Sequence, residues 1–125
     1  MFEFIKEIRI IDKNIKNGYQ NVEHEKPYIS MTVIPGAQSI ANFGGRECDL
    51  RAIFDSYSLD YMEAYNKLSE FKEKLLSTEW GSLKAKGYEV DKLKVEPIKD
   101  LTFTQNLEKV FRYQWTVRVT YRSVI

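Results

Sequence analysis

The chain predicts an α+β domain: a mostly antiparallel four-stranded sheet with one long helix packed on one face and an additional N-terminal helix. Two patterns carry this. The closing run KVFRYQWTVRVTYR alternates, with Phe111, Tyr113, Trp115, Val117, Val119 and Tyr121 on one side and Arg112, Gln114, Thr116, Arg118, Thr120 and Arg122 on the other. Period two is the signature of a strand buried on one face. Residues 58–77 instead place Tyr61, Ala64, Tyr65, Leu68, Phe71 and Leu75 at helical spacing, opposite a face of Glu and Lys. At 125 residues the chain suits a single domain, 1–125.

In order, residues 1–18 form the N-terminal helix, with Phe4, Ile5, Ile8, Ile11 and Ile15 on one stripe and Gly18 as the stop. Pro27 introduces an extended segment, and residues 28–57 form a strand hairpin. Its first strand is YISMTVI, ended by Pro35-Gly36; its second, RECDLRAIFDSY, turns Cys48, Leu50, Ala52 and Phe54 inward and Glu47, Asp49, Arg51 and Asp55 outward. GAQSIANFGG between them reads as a long loop in which Ile40, Asn42 and Phe43 are candidates for contact with a partner. Ser58 is the expected cap of the 58–77 helix, with Asp60 as a favourable early acid. TEWGSLKAKGYEV is broken, with room for a short helix ending at Gly87, and residues 92–122 hold two C-terminal strands. Six inward residues make the last strand the expected centre of the sheet, each contributing about 1.5–3 kcal/mol on burial.

Chemistry is sparse. His24 is the single histidine and sits in a polar connector, with no second ligand near it for a metal site or a triad. Cys48, the single cysteine, alternates with Leu50 and Phe54 and reads as a small core residue. Asp49 and Asp55 share a strand face but stand about 20 Å apart, too far for joint acid–base work. Gly44-Gly45 lacks the lysine and helix start of a phosphate loop. The expectation is no enzyme, no metal and no cofactor. A net charge of +1 gives no bulk attraction to nucleic acid or anionic lipid. No apolar run is long enough for a membrane span, and the charged N-terminus does not read as a secretory signal.

That leaves the polar flank of the last strand. Arg112, Arg118 and Arg122 could meet phosphates, but the aromatics needed for base stacking point the other way. A subunit interface formed by these arginines with Asp49, Arg51 and Asp55 is the preferred reading.

Three stretches resemble the tail terminators (tail completion, neck or minor capsid proteins) of tailed bacteriophages. They are YQNVEHEKPYISMTVIPG, RECDLRAIFDSYSLDYMEAYNKLSEFKEKLL and GYEVDKLKVEPIKDLTFTQNLEKVFRYQWTVRVTY, covering most of residues 19–121. The resemblance implies a homohexameric ring that caps the tail tube protein and docks to the head-completion (connector) protein. Phage DNA would pass through its lumen without sequence-specific binding. It implies a protein assembled in the host bacterial cytoplasm and located at the neck of the virion, with no membrane partner. A small nucleic-acid-binding α+β module and an adaptor subunit of another tail-like machine are the alternatives.

Overall fold

The computed structural model describes residues 2–18, 26–40, 46–80 and 87–123. The chain runs α1 (Phe2–Ile11), β1 (Lys16–Asn17), β2 (Tyr28–Ile40), β3 (Arg46–Ser58), α2 (Tyr61–Leu76), β4 (Tyr88–Val95), β5 (Lys99–Asp100), β6 (Phe103–Gln105) and β7 (Glu108–Ser123). The expected four-stranded sheet with one long helix is thereby overturned. The domain is mostly sheet, with seven strands in the order β1-β2-β3-β7-β4 and with β5 and β6 also paired to β7. Every pairing is antiparallel except β1 with β2.

The reason lies in β7. Its 16 residues expose backbone donors and acceptors on both flanks, and buried ones must be paired. β3 covers one flank from Phe111 to Arg122. The other flank is covered piecewise, by β6 at 108–110, β5 at 113–114 and β4 at 117–123. β1, β5 and β6 are two or three residues long, too short for any alternation to register in sequence.

The inward set of β7 enters the core as its period demands: Tyr113, Trp115, Val117, Val119 and Tyr121 are buried and Phe111 is partly so. Ile29, Met31 and Val33 of β2 and Leu50, Ala52 and Phe54 of β3 join them. Both helices cover this face, α2 through Ala64, Leu68, Phe71 and Leu75 and α1 through Phe4 and Ile8. At the centre the rings of Phe54, Phe71 and Trp115 lie 4.7–6.5 Å apart between centroids. Cys48 pairs with Tyr121 in the β3–β7 register, but its side chain lies outside the described residues, as does His24.

Four local expectations change. First, α1 stops at Ile11 and does not run to residue 18. Asp12 closes it by accepting the Asn14 N–H, and the chain then extends into β1. Gly18 serves close approach, since a Cβ there would strike Thr32 Oγ1 while its N–H bonds the Met31 carbonyl at 2.8 Å. Second, residues 36–40 belong to β2, past a bulge between Pro35 and Gln38 that absorbs the proline. Ile40 ends that strand opposite Arg46, its side chain undescribed, while Asn42 and Phe43 lie outside the described residues.

Third, the α2 cap is Asp60, whose carboxylate accepts the Glu63 N–H at 3.1 Å. Ser58 acts as a relay, its hydroxyl accepting the Asp60 N–H and donating to Glu63 Oε1 at 2.7 Å. The reciprocal bond of a capping box therefore runs through an intervening serine. Fourth, Tyr61 and Tyr65 sit at the edge of the α2 stripe and stay half exposed. Each keeps an edge-to-face contact with Tyr113.

β6 and β7 are joined by the two-residue turn Asn106-Leu107, with φ of 52° and 64°. Two positive φ values define the type I′ turn that matches strand twist. Leu107 is fully exposed, so no burial compensates its left-handed strain. Leu107→Gly is expected to raise stability by about 0.5–1 kcal/mol, the relieved strain less the added unfolded-state freedom of glycine. A thermal melt would register this as a rise in Tm of a few degrees; an unchanged or lower Tm would contradict it.

Candidate interaction face

The face of the sheet away from the helices has three zones. At one end β3 and β7 build a closed polar cluster. Asp55 is nearly buried although it points outward, because Arg112 Nε at 3.0 Å and Gln114 Nε2 at 3.1 Å both donate to its Oδ1. The Arg112 guanidinium also lies 5.6 Å from the centre of the Tyr57 ring, which stacks on Tyr28 at 4.9 Å. Burial first, and then the Asp55 charge, push the Tyr57 phenol above its usual range, while Arg112 pulls against them. At the other end Arg122 lies 3.7 Å from Glu89, an exposed pair of small worth.

Between them the register sets three cations in one row. Arg51 stands directly opposite Arg118, and Arg118 directly opposite Lys94 on its other flank. All three are exposed, and among the described residues none has a carboxylate within 4.0 Å. Directly opposed side chains have Cβ atoms about 4.5–5.5 Å apart, and like charges so placed destabilise a sheet. Asp49 is exposed and faces Thr120, diagonal to Arg118 and without an ion pair among the described residues.

The six residues expected to form an interface thus divide. Arg112 and Asp55 are paired within the chain, Arg122 has Glu89, and Arg51, Arg118 and Asp49 are left with open charge. Sequence reasoning missed Lys94, Tyr28, Tyr57 and the Arg51–Arg118 opposition. Alternation assigns a face to each strand, whereas which residues meet is a matter of register, and no single strand carries that.

Open clefts lie elsewhere among the described residues. One of about 480 Å³ is lined by Asn14, Lys16, Lys26, Tyr28 and Lys67. Another, of similar volume, lies at the base of the β6–β7 hairpin beside Tyr61, Asp100, Thr102, Lys109 and Phe111. Near it the Tyr113 phenol is pushed up to about 12, mainly by burial and then by the Asp100 charge and Tyr61. The Thr102 hydroxyl and N–H both donate to Asp100 Oδ1 and hold that carboxyl below its usual range. Among the described residues no group of three His, Cys, Asp or Glu side chains could hold a metal ion, and no helix is long and apolar enough to cross a membrane.

No protein-family model matches the chain, and no curated protein matches it significantly.

Proposed function

We propose that the chain is a structural virion protein of a tailed phage or prophage. In this reading it assembles into a ring that terminates the tail tube, joins it to the head-completion proteins at the neck, and lets the genome pass without catalysing a reaction. The three stretches that resemble tail terminators suggested the reading. The observation that carries it is the Arg51–Arg118–Lys94 row on an uncovered sheet face. Directly opposed like charges each cost a few tenths to about 1 kcal/mol, a cost that an anionic surface laid across them would reverse. A surface that is electrostatically incomplete in one copy suits a protein whose working state is an assembly.

Negative-stain imaging of the purified protein with isolated tail tubes tests this. Rings seated on one end of each tube are the expected result. Tubes whose ends stay bare and whose length distribution is unaffected by the protein would refute it. The same cation row also favours a second reading, a nucleic-acid-binding module, which predicts oligonucleotide affinity that falls steeply as salt rises.

A further inference from the structure

We propose that the anionic surface meeting the cation row is the α2 helix of a second copy of this chain, through Glu70 and Glu73. The proposal rests on the ring-forming reading and names the contact that would build the ring. Glu70 and Glu73 are exposed, and among the described residues neither has an ion-pair partner. Successive α-helical residues turn by about 100°, which places both on the side of α2 turned from its buried stripe, one turn apart. Lys67 and Lys74, three residues before and four after Glu70, lie about 40–60° round the helix from it but about 100–120° from Glu73, so the negative charge is least cancelled at Glu73. Glu63, at the start of the same side, is already engaged by the Ser58 hydroxyl.

The two charged surfaces lie on opposite sides of the domain, because α2 covers one face of the sheet and Arg51, Arg118 and Lys94 stand on the other. A molecule built this way cannot satisfy both surfaces in a two-fold pair. Each copy offers its sheet to one neighbour and its helix to the next, a heterologous contact that closes into a ring or continues as a filament. The dimensions agree. The row spans two strand spacings, about 10 Å, and a helix with its side chains is about 10–12 Å across. A helix lying over β7 therefore reaches all three cations.

The test is a charge-reversal cycle on the whole chain, read by sedimentation velocity over a concentration series at low and high salt. Circular dichroism melts should show every variant folded, with Arg118→Glu slightly raised because it breaks the like-charge row and Glu70→Lys slightly lowered because Lys67 and Lys74 then flank a third lysine. Wild type is expected to self-associate more strongly at low salt. Arg118→Glu and Glu70→Lys are each expected to weaken association by at least about tenfold, because like charges then meet at the contact. The double variant, in which each interface again joins opposite charges, is expected to recover most of that loss. Wild type that stays monomeric throughout, Glu70→Lys that associates like wild type, or a double variant without recovery would each overturn the proposal. Loss of oligonucleotide binding in Arg118→Glu with no effect of Glu70→Lys on self-association would assign the row to phosphates.

Failure here and failure of the parent reading are separable. Glu70→Lys protein that still forms rings on tube ends would sink the helix contact and leave the terminator reading standing. Wild type that follows the charge cycle yet ignores tube ends would do the reverse.

Discussion

Trp115→Ala is expected to cost about 3–5 kcal/mol of unfolding free energy, the range for removing a large aromatic from a core. Trp115 is fully buried at the middle of β7, against the rings of Phe54 and Phe71. A domain of this kind has only about 5–15 kcal/mol in total, so the variant should be close to unfolded at modest urea concentrations. Phenylalanine at the same site should behave very differently. Among the described residues the buried Trp115 Nε1 has no hydrogen-bond partner, a condition that costs about 1–3 kcal/mol. Trp115→Phe removes that orphaned donor while leaving a smaller void, and it also weakens the contact with Lys72 Nζ, 5.8 Å from the ring centre. Its net cost should stay below about 2 kcal/mol. Urea titration followed by circular dichroism measures both. Equal losses for the alanine and phenylalanine variants would show that ring volume does not govern this site.

The contrast shows what was legible in the sequence. The inward face of β7 is the strongest signal in the chain, since six apolar residues alternate with polar ones and every second side chain on a one-sided strand must leave water. α2 is nearly as clear, because Ala64, Leu68, Phe71 and Leu75 repeat at the pitch of a helix. What stayed hidden is whatever depends on a partner element. α1 ends sooner than its pattern suggests: Ile15 continues the apolar spacing of Ile8 and Ile11. Ile15 is buried after all, but from the extended segment leading into β1. Burial fixes that a side chain turns inward and not which backbone conformation brings it there. The short strands leave no trace in the sequence, since two or three residues carry no period, and β5 and β6 exist only because β7 has a second flank to fill.

The candidate face divides in the same way. That Arg112, Arg118 and Arg122 share a side follows from parity alone. That Arg112 is neutralised while Arg118 is not follows from the β3–β7 register, which sets Asp55 opposite Gln114 and Arg51 opposite Arg118. A shift of two residues in that pairing would keep every side chain on its face and exchange these partners. The charge pattern of this face is therefore written in the pairing of strands, and composition, at a net charge of +1, conceals it.

Arg112→Met is expected to be the second large loss, about 2–4 kcal/mol near neutral pH. The Asp55 side chain is only 8% exposed and that of Arg112 31%, so the carboxylate depends on its partner more than the guanidinium does. Removing Arg112 leaves Asp55 with the Gln114 amide alone, in surroundings that water barely reaches. The figure is set below that for a wholly buried pair because solvent still screens the arginine side. Asp55→Leu combined with Arg112→Met should recover most of the loss, to within about 1 kcal/mol of wild type, since the pair's attraction largely offsets its own desolvation. Urea unfolding of wild type, the single variant and the double variant decides the matter. If the double variant is as unstable as Arg112→Met, the loss comes from arginine packing on Tyr57 and not from a stranded charge. The Tyr57 phenol gives an independent readout. Arg112 is the one neighbouring charge that lowers its pKa, so in Arg112→Met a spectrophotometric titration should find it ionising at still higher pH. Asp55→Leu acts in the opposite direction by removing the charge that raises it, and the double variant should fall between the two.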